Sequence, residues 1–265
     1  MAFKFTILGG LIYVAMAAWL AASACHLRGR GRLGTGLFIC GAAALAAALA
    51  VRWAQAGHAP MQSLFEVFLC LGALICPLWL FCRKTLGAKG PAVGPLLGLI
   101  VLMPAGFVFS AEPRALPPAL QSWLFIPHVS AYMLGYIVLM LAAAQAIMQL
   151  AVAARAGDEA AVPYELATYR IVKLGFPLLM LGLALGAVWG KLAWGDYWNW
   201  DPKELWSLTT LLVYVGYFHF RALCGTKYPR TNAVLALAGG GAIIITLLWV
   251  NLAGRIFPGM HAYTT

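Results

Sequence analysis

Apolar residues run along this chain in long stretches separated by short polar gaps. Eight stretches stand out, near 5–24, 34–51, 61–82, 92–109, 128–153, 173–190, 204–223 and 233–251. A bilayer-spanning helix needs roughly 20 apolar residues, and each stretch comes close to that or exceeds it. The gaps leave no room for a soluble domain. The pattern predicts an all-α fold, a polytopic membrane helix bundle of about eight transmembrane helices, with 1–265 as a single integral membrane domain. Small-residue stretches at 41–48 and 239–242 suit close helix packing in lipid.

Composition agrees with that reading. The chain is 63% hydrophobic and 10% charged, whereas soluble domains carry about 25% charged residues. The bilayer is therefore the solvent. The net charge of +10 does not point to nucleic acid, because the cations sit in small clusters between apolar runs. Lys4 alone precedes the first run, and Arg28, Arg30 and Arg32 follow it. A signal peptide has the opposite polarity, so 5–24 is expected to be a retained first transmembrane helix.

The gaps also predict orientation. Three alternate gaps carry three cations each: Arg28, Arg30 and Arg32; Arg83, Lys84 and Lys89; Arg221, Lys227 and Arg230. The gap between the fifth and sixth runs adds Arg155, Arg170 and Lys173 at its edges. The positive-inside rule places these gaps in the cytoplasm. In a bacterial inner membrane both termini then lie outside, as do segment 190–206 and the histidines His58, His128 and His261.

Six cysteines, Cys25, Cys40, Cys70, Cys76, Cys82 and Cys224, fall within apolar runs or at their ends. No Cys-x-x-Cys pair occurs, which argues against a thiol–disulfide carrier, and no Cys-x-x-Cys-His, so the chain is not itself a c-type cytochrome. Packing is the expected role of most of them.

The most distinctive segment reads WGDYWNWDPKELW, residues 194–206, with Trp194, Trp198, Trp200 and Trp206 between two apolar runs. An aromatic belt at the membrane surface explains scattered tryptophans. It explains less well a cluster interleaved with Gly195, Asn199 and charged residues. A large flat ligand such as haem needs such a cluster. If the segment were helical, Trp194, Trp198 and Asp201 would share one face. Asp201 and Glu204 suggest acid–base chemistry, but Asp201 before Pro202 with Glu204 three residues on also reads as an N-cap and capping box opening the seventh helix. Residues 63–66, Ser-Leu-Phe-Glu, repeat that signature at the third.

Five histidines can supply axial ligands to haem iron: His26, His58, His128, His219 and His261. His128 and His261 share the predicted side of the tryptophan segment. His219 lies late in the seventh run, where an ionisable residue needs a reason. No other histidine lies deep in the bilayer, so a second ligand to an iron held there would come from another chain. His26, beside three arginines, reads as a solvated flank. His58 stays ambiguous.

Several blocks together resemble the CcsA/ResC family of cytochrome c biogenesis proteins, part of the tryptophan-rich haem-handling superfamily that includes CcmC and CcmF. WGDYWNWDPKELWSL is similar to its tryptophan signature almost throughout, and the Asp-Pro-Lys-Glu version points to CcsA/ResC more than to CcmC. GHAPMQSLFEVF, WLFIPHVSAYMLGY, TLLVYVGYFHF and NLAGRIFPGMHAY resemble the blocks around it, with matches spanning residues 57 to 263. Arg255 to Pro258 lengthen the link before His261. The resemblance implies transport of haem b across the membrane and its attachment to apocytochrome c bearing Cys-x-x-Cys-His, with a CcsB/ResB-type partner, as part of a cytochrome c haem lyase. It implies His128 and His261 as external iron ligands, His219 as the intramembrane one, and Trp194, Trp198, Trp200, Asp201 and Trp206 as haem contacts. Lys191, Lys203, Arg114 and Arg255 are candidates to pair with propionates. A haem exporter or chaperone without ligase activity would use the same residues. A membrane cytochrome b would need two intramembrane histidine pairs, and a regulatory relative would need neither haem nor thiols.

Overall fold

The computed structural model describes residues 3–249. Eight α-helices correspond to the eight apolar runs: α1 (Ile7–Leu27), α2 (Gly31–Ala56), α3 (Leu64–Phe81), α4 (Val93–Phe107), α5 (Phe125–Ala156), α6 (Asp158–Trp194), α7 (Pro202–Cys224) and α8 (Pro229–Ile244). Single π-helical turns, Cys82–Leu86 and Ile245–Trp249, continue α3 and α8, and a 3-10 turn, Pro118–Leu120, precedes α5. No strand occurs among the described residues. The chain is an all-α polytopic membrane protein. Six of its helices are long and apolar enough to cross a membrane. Of the other two, α4 is a shorter apolar helix, and α7 is the least apolar of the eight because Ser207, Thr209, Thr210, Tyr214, Tyr217 and His219 interrupt it.

The helices form two compact units, one holding α1 to α4 and the other α5 to α8 with the turn Cys82–Leu86. Lipid tails supply no hydrophobic force between helices, so contact depends on close fit. In the first unit, two buried tryptophans lie on glycines. A methyl group added at Gly41 would stand 2.4 Å from the Trp19 indole, and one at Gly98 2.3 Å from the same ring. Trp79 fills the equivalent space over Gly94, at 2.1 Å.

Buried charge in the first unit is paired, as a low dielectric requires. Arg52, 1% exposed, donates from Nε to Glu66 Oε1 at 2.8 Å, and its other nitrogens donate to the carbonyls of Ala111 and Glu112. Glu66 Oε2 accepts the Gln62 and Ser63 amides at 2.8 and 3.1 Å, while Ser63 Oγ accepts the Glu66 amide at 3.3 Å. The capping signature read at 63–66 is present, and its acid also neutralises an arginine. His26 departs from its expected role as a solvated flank. Its half-buried ring lies against Gly34, where a methyl group would stand 2.9 Å from it. The turn between α1 and α2 is only three residues long, so α2 returns directly onto the end of α1.

In the second unit the sixth helix begins fifteen residues earlier than its apolar run. Only Gly157, at φ +86°, separates α5 from α6. The extension carries Asp158, Glu159, Glu165 and Arg170 and buries just one stripe, including Ala161, Glu165, Thr168 and Val172. Amphipathic helix of this kind is invisible to a search for continuous apolar sequence. Glu165, 1% exposed, accepts Arg221 Nε at 2.6 Å, a second guanidinium nitrogen at 3.2 Å and Asn232 Nδ2 at 3.1 Å. One carboxylate thus fastens α6 to α7 and α8. Higher up, a methyl group at Gly239 would stand 2.3 Å from the Tyr214 ring, and one at Gly240 2.8 Å from Ala143.

Candidate functional site: a histidine seated on a glycine ladder beneath the tryptophan segment

His128 sits in the first turn of α5, half-buried. Its Nδ1 lies 2.9 Å from the carbonyl oxygen of Gly182 on α6. A carbonyl only accepts, so Nδ1 carries the proton and the lone pair rests on Nε2. Metal-binding imidazoles are oriented by such a bond from their other nitrogen.

Three glycines one turn apart on α6 make this arrangement possible. A methyl group at Gly186 would stand 2.6 Å from His128 Cε1. One at Gly182 would stand 2.9 Å from the Tyr132 ring, and one at Gly190 3.2 Å from the Asp196 carbonyl. The ladder therefore seats His128, seats the tyrosine one turn below it, and lets the tryptophan segment fold back onto α6. Tyr132 meets His128 edge-on at 5.1 Å between ring centres. The Tyr132 ring in turn lies 5.3 Å from that of Tyr136, centre to centre.

Trp189 joins the histidine to the tryptophan segment. Its ring, 3% exposed, lies 5.5 Å from His128 and 5.1 Å from Trp194. Its indole N–H donates to Ala119 O at 3.0 Å. Sequence reasoning passed over Trp189, Tyr132, Gly182 and Gly186, although the four-residue glycine spacing at 182, 186 and 190 is a small-residue helix-packing signal.

Residues 195–201 of the tryptophan segment are not helical, and the shared face expected of Trp194, Trp198 and Asp201 does not form. Trp194 is the last residue of α6, and Gly195, at φ +92°, ends the helix there. Trp198 and Trp200 then pack edge-on at 5.9 Å, and Trp200 is 66% exposed. Asp201, 6% exposed, caps α7 by accepting the Lys203 amide at 2.8 Å. Glu204 accepts the Asp201 amide at 3.2 Å, completing the capping box. Trp206 is half-buried in the first turns of α7. Lys203 stands beside Asp201. Burial pushes its ammonium down to about 8, while the Asp201 carboxylate works in the opposite direction. Lys191 donates to the Gly195 carbonyl and lies 5.6 Å from the Tyr197 ring centre.

His219 occupies a different surface. It is exposed on α7, with Nδ1 2.8 Å from Val215 O of its own helix, which again leaves the lone pair on Nε2. The exposed residues of α7 include Leu205, Thr209, Leu212, Gly216, His219 and Leu223, spaced alternately by four and three. That spacing puts them on one face of α7. The opposite face, with Ser207, Thr210, Tyr214 and Tyr217, is buried. His58 lies in the first unit, with both ring nitrogens 3.0 Å from carbonyl oxygens, those of Ala59 and Arg114. Among the described residues no group of three or more His, Cys, Asp or Glu side chains can hold a metal ion. His261 and Arg255 lie outside the described residues.

Residues 34–257 match the family described as Cytochrome C assembly protein. The chain is similar to the cytochrome c biogenesis protein CcsA of Synechococcus elongatus, 32% identical over 92% of this chain and 91% of the relative. It is also similar to CcsA of Guillardia theta, 33% identical over 81% and 80% of the two chains, and to CcsA of Pyropia yezoensis, 28% identical over 96% and 94%.

Proposed function

Because this chain belongs to the cytochrome c assembly protein family, with a role in cytochrome c maturation, we propose that it carries haem across the membrane. It then holds haem for covalent attachment to apocytochrome c. The observation that carries the reading is His128, its Nδ1 on the Gly182 carbonyl and its ring among Tyr132, Trp189 and the tryptophan segment. Haem is the substrate. His128 and His261 bind its iron from the two faces. The indoles of Trp194, Trp198, Trp200 and Trp206 contact the apolar ring. Lys203 pairs with a propionate, which its desolvated position and its place at the start of α7 favour.

Two imidazoles on the iron leave the vinyl edge open. Each thiol of an incoming Cys-x-x-Cys-His segment adds across one vinyl group. Sulfur bonds to one vinyl carbon, the thiol hydrogen goes to the other, and the carbon–carbon double bond becomes single, with no net oxidation. The histidine of the segment then replaces one protein imidazole, and haem leaves with the cytochrome. Orientation does the work of catalysis, since the described site offers no dedicated acid or base. The alternating charge of the gaps favours an external position for segment 190–206 in a bacterial inner membrane. His219 binds haem earlier in transit, on a face completed by a CcsB/ResB-type membrane partner.

The test is the absorption spectrum of the purified protein. His128→Ala and His261→Ala are each expected to lose the bis-imidazole bands, and added imidazole to restore them in part. Wild-type spectra in both variants would refute the assignment.

A further inference from the structure

Trp200 is the one non-glycine residue with positive φ among the described residues, at +57°. A bulky side chain rarely adopts this left-handed conformation, and where it does the surroundings must hold it there. The holder is Glu204. Its Oε2 accepts the amide of Asn199 at 2.8 Å and the amide of Asp201 at 3.2 Å, the residues on either side of Trp200. A left-handed residue turns its flanking amides toward a common acceptor, making a small anion-binding nest. The carboxylate of Glu204 fills that nest.

An ordinary capping box needs only the Asp201 bond. The bond to Asn199 lies outside the helix cap and is the shorter of the two. It ties the residue before Trp200 to the first turn of α7. That turn presents the indole outward, 66% exposed, with its neighbour Asp201 only 6% exposed and Trp198 edge-on beside it. We propose that Glu204 is a positioning residue for Trp200, locking the backbone turn that presents this indole to the substrate. Its value for haem rests on reading segment 194–206 as the haem surface. The lock itself does not.

The test separates the two. A tryptophan-selective alkylating probe is applied to the purified full-length protein without haem, and labelling of each tryptophan is read by peptide mass spectrometry. Haem content of the same variants is measured in parallel. Glu204→Ala removes the acceptor, and Glu204→Asp is one methylene too short to reach both amides. Glu204→Gln keeps a carbonyl oxygen at the same reach. Trp200 labelling is expected to change severalfold in Glu204→Ala and Glu204→Asp and to stay near wild type in Glu204→Gln, with buried Trp189 unlabelled throughout. Wild-type labelling of Trp200 in both the Ala and Asp variants overturns the lock, whatever haem does. So does equal labelling change at Trp189 and Trp200 in all three variants, because Glu204 then supports the region generally. Altered Trp200 labelling with full haem content supports the lock and refutes the haem reading of this indole instead.

Discussion

Gly186 and His128 are so close that any side chain added at position 186 must displace the imidazole. A single methyl group there would stand 2.6 Å from Cε1 and 3.1 Å from Nδ1 of the imidazole. The ring that the sequence singles out is thus placed by a residue with no side chain. It is held by a hydrogen bond to another glycine, Gly182, one turn away.

Gly186→Ala should therefore act as a ligand mutation without touching the ligand. The methyl group must displace the ring, a clash of about 1–3 kcal/mol, while alanine recovers about 1 kcal/mol of helix propensity. Thermal stability is expected to change little. The bis-imidazole spectrum is expected to fall toward that of His128→Ala, with partial recovery in added imidazole. An intact spectrum in Gly186→Ala would mean that His128 does not need this seat to bind iron.

The proposed pairing of Lys203 with a propionate predicts that haem binding depends on pH. Its ammonium is held down to about 8 in the haem-free protein. A propionate partner favours the charged form and raises the bound-state value. The charge is present below about 8, so the pairing contributes fully there. Above it a proton must be taken up on binding, and haem affinity weakens by up to about tenfold per pH unit. Titrating haem between pH 7 and 10 is expected to show this slope in wild type. Lys203→Gln should lose it, and Lys203→Arg should bind haem without it, since arginine stays charged. Equal slopes in wild type and Lys203→Gln would exclude Lys203 as the partner.

The charge pattern predicts the orientation, and that prediction has a direct test. Reporter fusions after Arg230 are expected to read cytoplasmic, and fusions at Thr265 external. The reverse pattern would move segment 190–206 to the cytoplasm and remove apocytochrome c from its reach. Within this scheme Arg221 is a poor topology signal, because it is spent on Glu165.

What the sequence revealed and what it hid divide along physical lines. The apolar runs located the eight described helices, six of which are long and apolar enough to cross a membrane. The start of α6 was hidden because 158–172 is amphipathic and too polar to register as a span. The capping box at Asp201 and Glu204 was legible, being a local pattern of fixed spacing. The left-handed turn at Trp200 was not, because nothing in a Trp-Asp-Pro run announces positive φ. His128 was visible as a histidine beside an aromatic cluster. Its seat was not, since a glycine ladder on another helix matters only once α5 and α6 are packed together.

His219 is expected to show its role only when a partner is present. The exposed stripe of α7 alternates steps of four and three, as a helix does when it packs along another. Gly216 lies one turn before His219 on that stripe, so a partner helix that approaches there is expected to carry the second ligand. His219→Gly should therefore reduce the haem recovered with the co-purified CcsB/ResB-type complex. It should leave the haem of the isolated chain, held through His128, unchanged. Gly216→Leu should weaken co-purification while leaving the isolated chain folded, because a methyl group at Gly216 meets no neighbouring helix within 4 Å. Equal haem in the wild-type and His219→Gly complexes, with cytochrome c maturation intact, would reduce His219 to a residue bonded only to its own helix at Val215.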